Sequence, residues 1–173
     1  MKKRTFIGAA LLATVLAATA AKAGDYEVTN PAAFAKAFAP ATVSIDQALK
    51  TAQAQGTPIS AKYELDDKGA LALSVYVMKS PGQFAELLID YKSGAIAKNE
   101  VITDKGDIAD ATGQATAVGA AKMSLVDAAT KAVADNPGYK VISFSPEMRG
   151  PNPFAEIFVI KDTDVKKTAQ KLN

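Results

Sequence analysis

Carboxylates are the main candidates for acid–base chemistry in this chain, because it has neither histidine nor cysteine. That composition excludes Ser-His-Asp and Cys-His nucleophilic catalysis, and nearly all zinc, copper and haem sites. Hydrolysis by a carboxylate pair is what remains in principle. Asp66 and Asp67 are adjacent, but they fall between two alternating apolar segments and just before Gly69, where acidic residues ordinarily form a turn. Asp104, Asp107 and Asp110 could offer oxygen ligands to calcium, yet their spacing is not that of an EF-hand loop. A solvated acidic segment is the simpler reading. No catalytic, cofactor-binding or metal-binding residue is therefore assigned, and no enzyme activity is expected.

Binding residues are easier to nominate. Glu86 and Glu156 take matching places in Phe84-Ala85-Glu86-Leu87 and Phe154-Ala155-Glu156-Ile157. By strand alternation each glutamate shares a face with bulky apolar residues: Phe84 and Leu88 in one segment, Phe154, Phe158 and Ile160 in the other. That face lies opposite the expected core face, so it needs a cover. The two halves of the chain or flanking helices could supply it; a groove for an apolar peptide or protein partner is the functional alternative. Arg149, followed by Gly150-Pro151-Asn152-Pro153, is a loop arginine that could anchor a carboxylate or simply be solvated. The candidate partner-binding residues are Phe84, Glu86, Leu88, Arg149, Phe154, Glu156 and Phe158.

The elements that must position these residues can be read from periodicity. Asn30-Pro31 predicts an N-cap and first helical position, with Phe34 and Phe38 on one face of a short helix. Ser44 and Gln47 make a capping-box pattern for a helix over about 45–55, whose apolar stripe is Ile45, Ala48, Leu49 and Ala52. Strands follow over 59–66, 71–77 and 84–91, with turns at Asp67-Lys68-Gly69, Ser80-Pro81-Gly82 and Lys92-Ser93-Gly94, and a short edge strand over 95–102. The Ala/Thr/Asp-rich stretch 104–122, punctuated by Gly106, Gly113 and Gly119, is expected to be a linker between halves, with a loose helix through Ile108, Ala111, Ala115 and Val118 as the other reading. A second helix over 125–135 stops at Asn136-Pro137-Gly138. A strand over 139–145, a proline-rich loop over 146–153, a strand over 154–160 and a C-terminal helix carrying Val165, Ala169 and Leu172 complete the expectation.

Helix followed by strands thus occurs twice, which predicts an α+β fold of two similar units, each a helix packed on a small antiparallel β-sheet. The first, over 43–103, closes with Asp90-Tyr91-Lys92-Ser93-Gly94-Ala95-Ile96. Helix, three antiparallel strands and this Asp-x-x-Ser/Thr-Gly-x-Ile/Val segment resemble the PepSY domain over about 43–102. The second unit, 123–173, resembles it more weakly: it has the helix and two strands, but Lys161-Asp162-Thr163-Asp164 replaces the glycine turn, and it lacks the hairpin extension. The resemblance implies an exported accessory protein rather than an enzyme. PepSY-like units occur in propeptides of secreted metallopeptidases, where they assist folding and inhibit, and in periplasmic proteins and sensor ectodomains. It implies no cofactor and no family-wide catalytic residue.

The first 23 residues read as a secretory signal: Lys2, Lys3 and Arg4, then an apolar run from Phe6 to Ala18, then Ala21-Lys22-Ala23, with cleavage expected before Gly24. A periplasmic or secreted product follows, with 24–42 as an N-terminal segment. Removing four of the 20 basic residues leaves 16 against 18 acidic, a net charge of −2. A mildly acidic chain without basic clusters is a poor nucleic-acid ligand. No membrane span is expected after signal removal. The functional expectation is a non-catalytic exported binding or regulatory protein of PepSY type that modulates a peptidase or an envelope protein complex. A periplasmic carrier of a small ligand or lipid is the alternative.

Overall fold

Asn30 Oδ1 accepts the Ala33 N–H at 3.0 Å, and Pro31 opens α1 (Pro31–Phe38) behind that cap. The computed structural model describes residues 26–173, so the expected signal peptide and its cleavage site lie outside the described residues. The Phe34 and Phe38 rings stack at 5.7 Å, and Phe38 meets the buried Tyr63 ring edge-on at 4.8 Å. Helix α2 (Ile45–Ala52) starts where the Gln47 side chain accepts the Ser44 N–H at 2.9 Å. A 3-10 turn, Gln53–Gln55, leads through Gly56 into β1 (Thr57–Leu65), β2 (Leu71–Ser80), β3 (Gln83–Ile89) and β4 (Ile96–Val101). Helices α3 (Lys105–Ala120) and α4 (Leu125–Asp135) follow, then β5 (Lys140–Arg149), β6 (Asn152–Lys161) and β7 (Asp164–Lys171).

Among the described residues the strands form one antiparallel sheet in the order β4-β3-β2-β1-β5-β6-β7. The chain therefore meanders outward from the centre twice. The central seam is short: β1 and β5 pair only at Ala61↔Phe144 and Lys62↔Ser143. One sheet face carries Ala61, Tyr63, Val75, Leu87, Phe144 and Ile157 and packs on α1, α2 and α4 through Phe38, Leu49, Leu125 and Ala129. Tyr63 is fully buried there, and its hydroxyl donates to the Val43 carbonyl at 2.5 Å. The other face carries Ile59 and Phe84 under α3, which contributes Ala111.

The α+β class with an antiparallel sheet is observed, but several details differ from the sequence reading. There is one continuous sheet rather than two small ones. Residues expected to be a linker form α3. Asp104 starts it by accepting the Gly106 and Asp107 N–H groups at 2.7 and 3.2 Å. Glycines inside a helix cost about 1 kcal/mol each; packing Ile108, Ala111 and Ala115 over Ile59 and Phe84 outweighs that here. The 146–153 loop is instead the end of β5, a tight turn at Gly150 and the start of β6. Pro146 is tolerated because β5 has already run past its pairing with β1. The C-terminal segment is β7, not a helix. Asp162 takes the left-handed turn conformation, φ 55°, in place of a glycine, and β7 then pairs with β6 along its whole length. The second half therefore has three strands, where two were expected.

Candidate binding edges and the covered sheet face

The Asp90-Tyr91-Lys92-Ser93-Gly94 segment is a structural clasp. Asp90 Oδ1 accepts the Lys92 and Ser93 N–H groups at 3.0 and 2.7 Å, and Gly94 turns with φ 76°. Those N–H groups, Ser93 first, hold the Asp90 carboxyl below the usual carboxylate range. The Tyr91 carbonyl accepts from Thr42 and Val43, and the Thr42 hydroxyl donates to the Lys92 carbonyl at 2.6 Å, which fixes the approach to α2. Asp66 does similar work in the first hairpin, accepting the Lys68 and Ala70 N–H groups at 2.9 and 2.8 Å. Asp104 is occupied as the α3 cap. Among the described residues no group of three or more carboxylates is placed to hold a metal ion.

The nominated apolar residues fall into two triplets, each one strand in from a sheet edge: Phe84, Glu86 and Leu88 on β3 beside β4, and Phe154, Glu156 and Phe158 on β6 beside β7. Four strand steps of about 4.8 Å separate them, roughly 19 Å, so they do not form one groove. Phe84 is 2% exposed beneath α3. Leu88 is half-buried. Phe158 is half-buried, with the Tyr26 ring edge-on at 4.9 Å and the Lys167 ammonium 5.7 Å from its centroid. Glu156 is buried and its carboxylate lies 2.6 Å from Lys167 on β7. Phe154 is half-buried under the Arg149 guanidinium at 4.9 Å, and Arg149 is itself paired with Glu147 at 2.6 Å.

Between the triplets lies an ionisable group that alternation alone did not reveal. Lys62 points to the α3 face and is only 8% exposed because that face is covered. Its ammonium lies 2.7 Å from Glu64, poorly aligned for a hydrogen bond, and 5.7 Å from the Tyr76 ring centroid. The Tyr76 hydroxyl donates to Glu86 at 3.2 Å. Burial first, then Glu86 and Glu64, pushes the ionisation of Tyr76 far upward. From α3, Asp107 joins the same field: burial and the neighbouring Asp104, Asp110 and Glu86 raise its pKa, and Lys62 opposes the shift. Gln114 on α3 ties the sheet together, accepting from Ser60 at 2.7 Å and donating to Ser145 at 3.3 Å.

Among the described residues the two ends of the sheet remain open. At β7, the Leu172 N–H bonds the Pro153 carbonyl at 3.0 Å, so Leu172 faces β6 and alternation turns the N–H and C=O groups of Lys171, Ala169 and Lys167 outward. Beside this edge lies an open groove of about 310 Å³ lined by Lys131, Asp135, Asn136, Ile157, Thr168 and Gln170. A second cleft, of about 150 Å³, is more apolar and is lined by Phe38, Ala41, Val43, Ile45, Val133 and Val141. It falls short of the roughly 300–1,000 Å³ usual for small-molecule sites. Among the described residues no helix is long and apolar enough to cross a membrane. Comparison with protein-family models, with curated proteins and with solved structures finds no match to this chain.

Proposed function

We propose that this chain is a non-catalytic, exported binding and regulatory protein of PepSY type, built from two like units, that modulates a peptidase or envelope protein complex. On this reading it takes an extended segment of its partner as an added strand along β7. The observation that carries the reading is the open β7 edge lying beside the 310 Å³ groove. Main-chain hydrogen bonds to Lys167, Ala169 and Lys171 would give affinity, and the groove would select side chains on one face of the incoming strand. Lys171, beside a Lys166 paired with Asp164 and a Lys167 paired with Glu156, favours an acidic group on the incoming segment. The repeated order of helix then antiparallel meander, α2 with β1–β3 and α4 with β5–β7, supports the two-unit reading.

A photo-crosslinking residue at Lys171, in cells that export the chain, tests the proposal. The expected result is one dominant envelope adduct, lost when Ala169→Pro removes an outward N–H without breaking a β6–β7 bond. Adducts that persist in the proline variant, or that match those from a crosslinker at exposed Ala134 on α4, would contradict it.

A further inference from the structure

The opposite edge, β4, carries a pattern that selects a different occupant. Its residues after Ile96 are exposed, and Val101 is 71% exposed, the most open large apolar side chain among the described residues. Lys98 and Glu100 share the α3 face and sit 2.7 Å apart as an ion pair. The Ile102 N–H bonds the Phe84 carbonyl at 3.0 Å, so the N–H and C=O of Val101 point away from β3. By alternation those of Asn99 do too.

We propose that β4 is a self-pairing edge: two copies of this chain join antiparallel along β4, with Asn99 at the two-fold axis and each Lys98 opposite Glu100 of the second copy. The backbone allows outward-facing residues to pair only with outward-facing residues, which brings Asn99 opposite Ala97, Asn99 or Val101 of the other chain. The first register sets Lys98 against Lys98. The third sets Glu100 against Glu100. Like charges directly opposite are destabilising. Only the central register places both unlike pairs together, and it does so at the non-hydrogen-bonded positions, where side chains approach most closely. The same register lays Val101 across Ala97, at the bulge that interrupts β4. Edge charges commonly block indiscriminate pairing; here one lysine and one glutamate, two residues apart, disfavour the two flanking registers and leave the one centred on Asn99. On the other face the Asn99 amide donates to Gln55 at 3.1 Å, holding the strand against the body of the fold.

The test is sedimentation equilibrium on protein purified from cells expressing the full chain, at low salt and rising concentration. The account expects the mass to double with concentration, and the association to weaken as salt screens the exposed pairs. Lys98→Glu and Glu100→Lys should each weaken dimerisation by roughly tenfold or more, and the double swap should restore it. Asn99→Pro, which removes an outward N–H, should abolish it with an unchanged circular dichroism spectrum. A chain that stays monomeric at every concentration overturns the proposal. So does a dimer that ignores the single swaps, or one that the double swap fails to rescue. None of these variants touches β7, so failure here is separable from failure of partner binding there.

Discussion

Phe84→Ala would remove the largest buried side chain beneath α3, where Phe84 is 2% exposed and packs with Ile59 and Ala111. Burying such a ring is worth ~2–3 kcal/mol by transfer alone. The α3 backbone is pinned at Asp104 and through Gln114, so the site collapses poorly and a cavity term adds to the loss. The total is about 3–5 kcal/mol. For a domain of this size each kcal/mol moves Tm by about 2–4 °C, so a fall of roughly 6–20 °C follows. Urea denaturation by far-UV circular dichroism measures it, and hydrogen exchange on α3 should show amides 111–118 losing protection in step. Phe154→Ala, at a half-buried ring, should cost about half as much. A loss within ~0.5 kcal/mol at Phe84, the scale of surface substitutions, would mean that α3 does not seal this face and would refute the packing argument.

Other substitutions separate the remaining contributions. At Gly56, φ is +155° and an added Cβ would lie 2.6 Å from the Met78 carbonyl oxygen, so Gly56→Ala should lower the unfolding free energy, read by urea denaturation, by ~2 kcal/mol or more; Gly113→Ala, in open space on α3, should raise it by ~0.5–1 kcal/mol. Lys62→Met keeps the buried stem but removes the cation beside Glu64 and in the field of Asp107, and should cost about 1–2 kcal/mol in the same assay, with Glu64→Gln recovering part of it. Asp90 has its folded pKa depressed by the Ser93 and Lys92 N–H groups, so its contribution is present above the unfolded carboxylate pKa and is lost as pH falls through the depressed value. Asp90→Asn should therefore flatten the fall of Tm as pH drops below the ordinary carboxylate range, about pH 4, while changing little of its shape at neutral pH.

Much of the fold was legible because local signals agreed with tertiary demands. The caps at Asn30 and Ser44, the stop at Asn136-Pro137-Gly138 and the alternation through Ile59–Asp66 gave elements close to those observed. The misreadings have a common cause in competing signals. Val165, Ala169 and Leu172 are spaced for a helix, yet the edge of β6 offered Asp164–Lys171 a full ladder, and pairing overrode the weak apolar stripe. Helix α3 has few large residues and three glycines, so its pattern looked like a linker; its partners, Ile59 and Phe84, are distant in sequence. That one omission also left Phe84 looking exposed. The nomination of the Phe-Ala-Glu residues rested on an uncovered face, and the cover comes from α3, Tyr26 and Lys167. The open edges could have been suspected from the charged segments Lys98-Asn99-Glu100 and Lys166-Lys167, but strand order, which decides what is an edge, is not written in local sequence.

The most direct test of the binding account is the crosslink from Lys171, read in parallel with and without Ala169→Pro, with Tm recorded for both. The account predicts one dominant envelope adduct that disappears in the proline variant while Tm stays within a few degrees, as expected for a substitution on an outward N–H. An unchanged adduct in a folded proline variant would contradict the claim that β7 is where the partner joins.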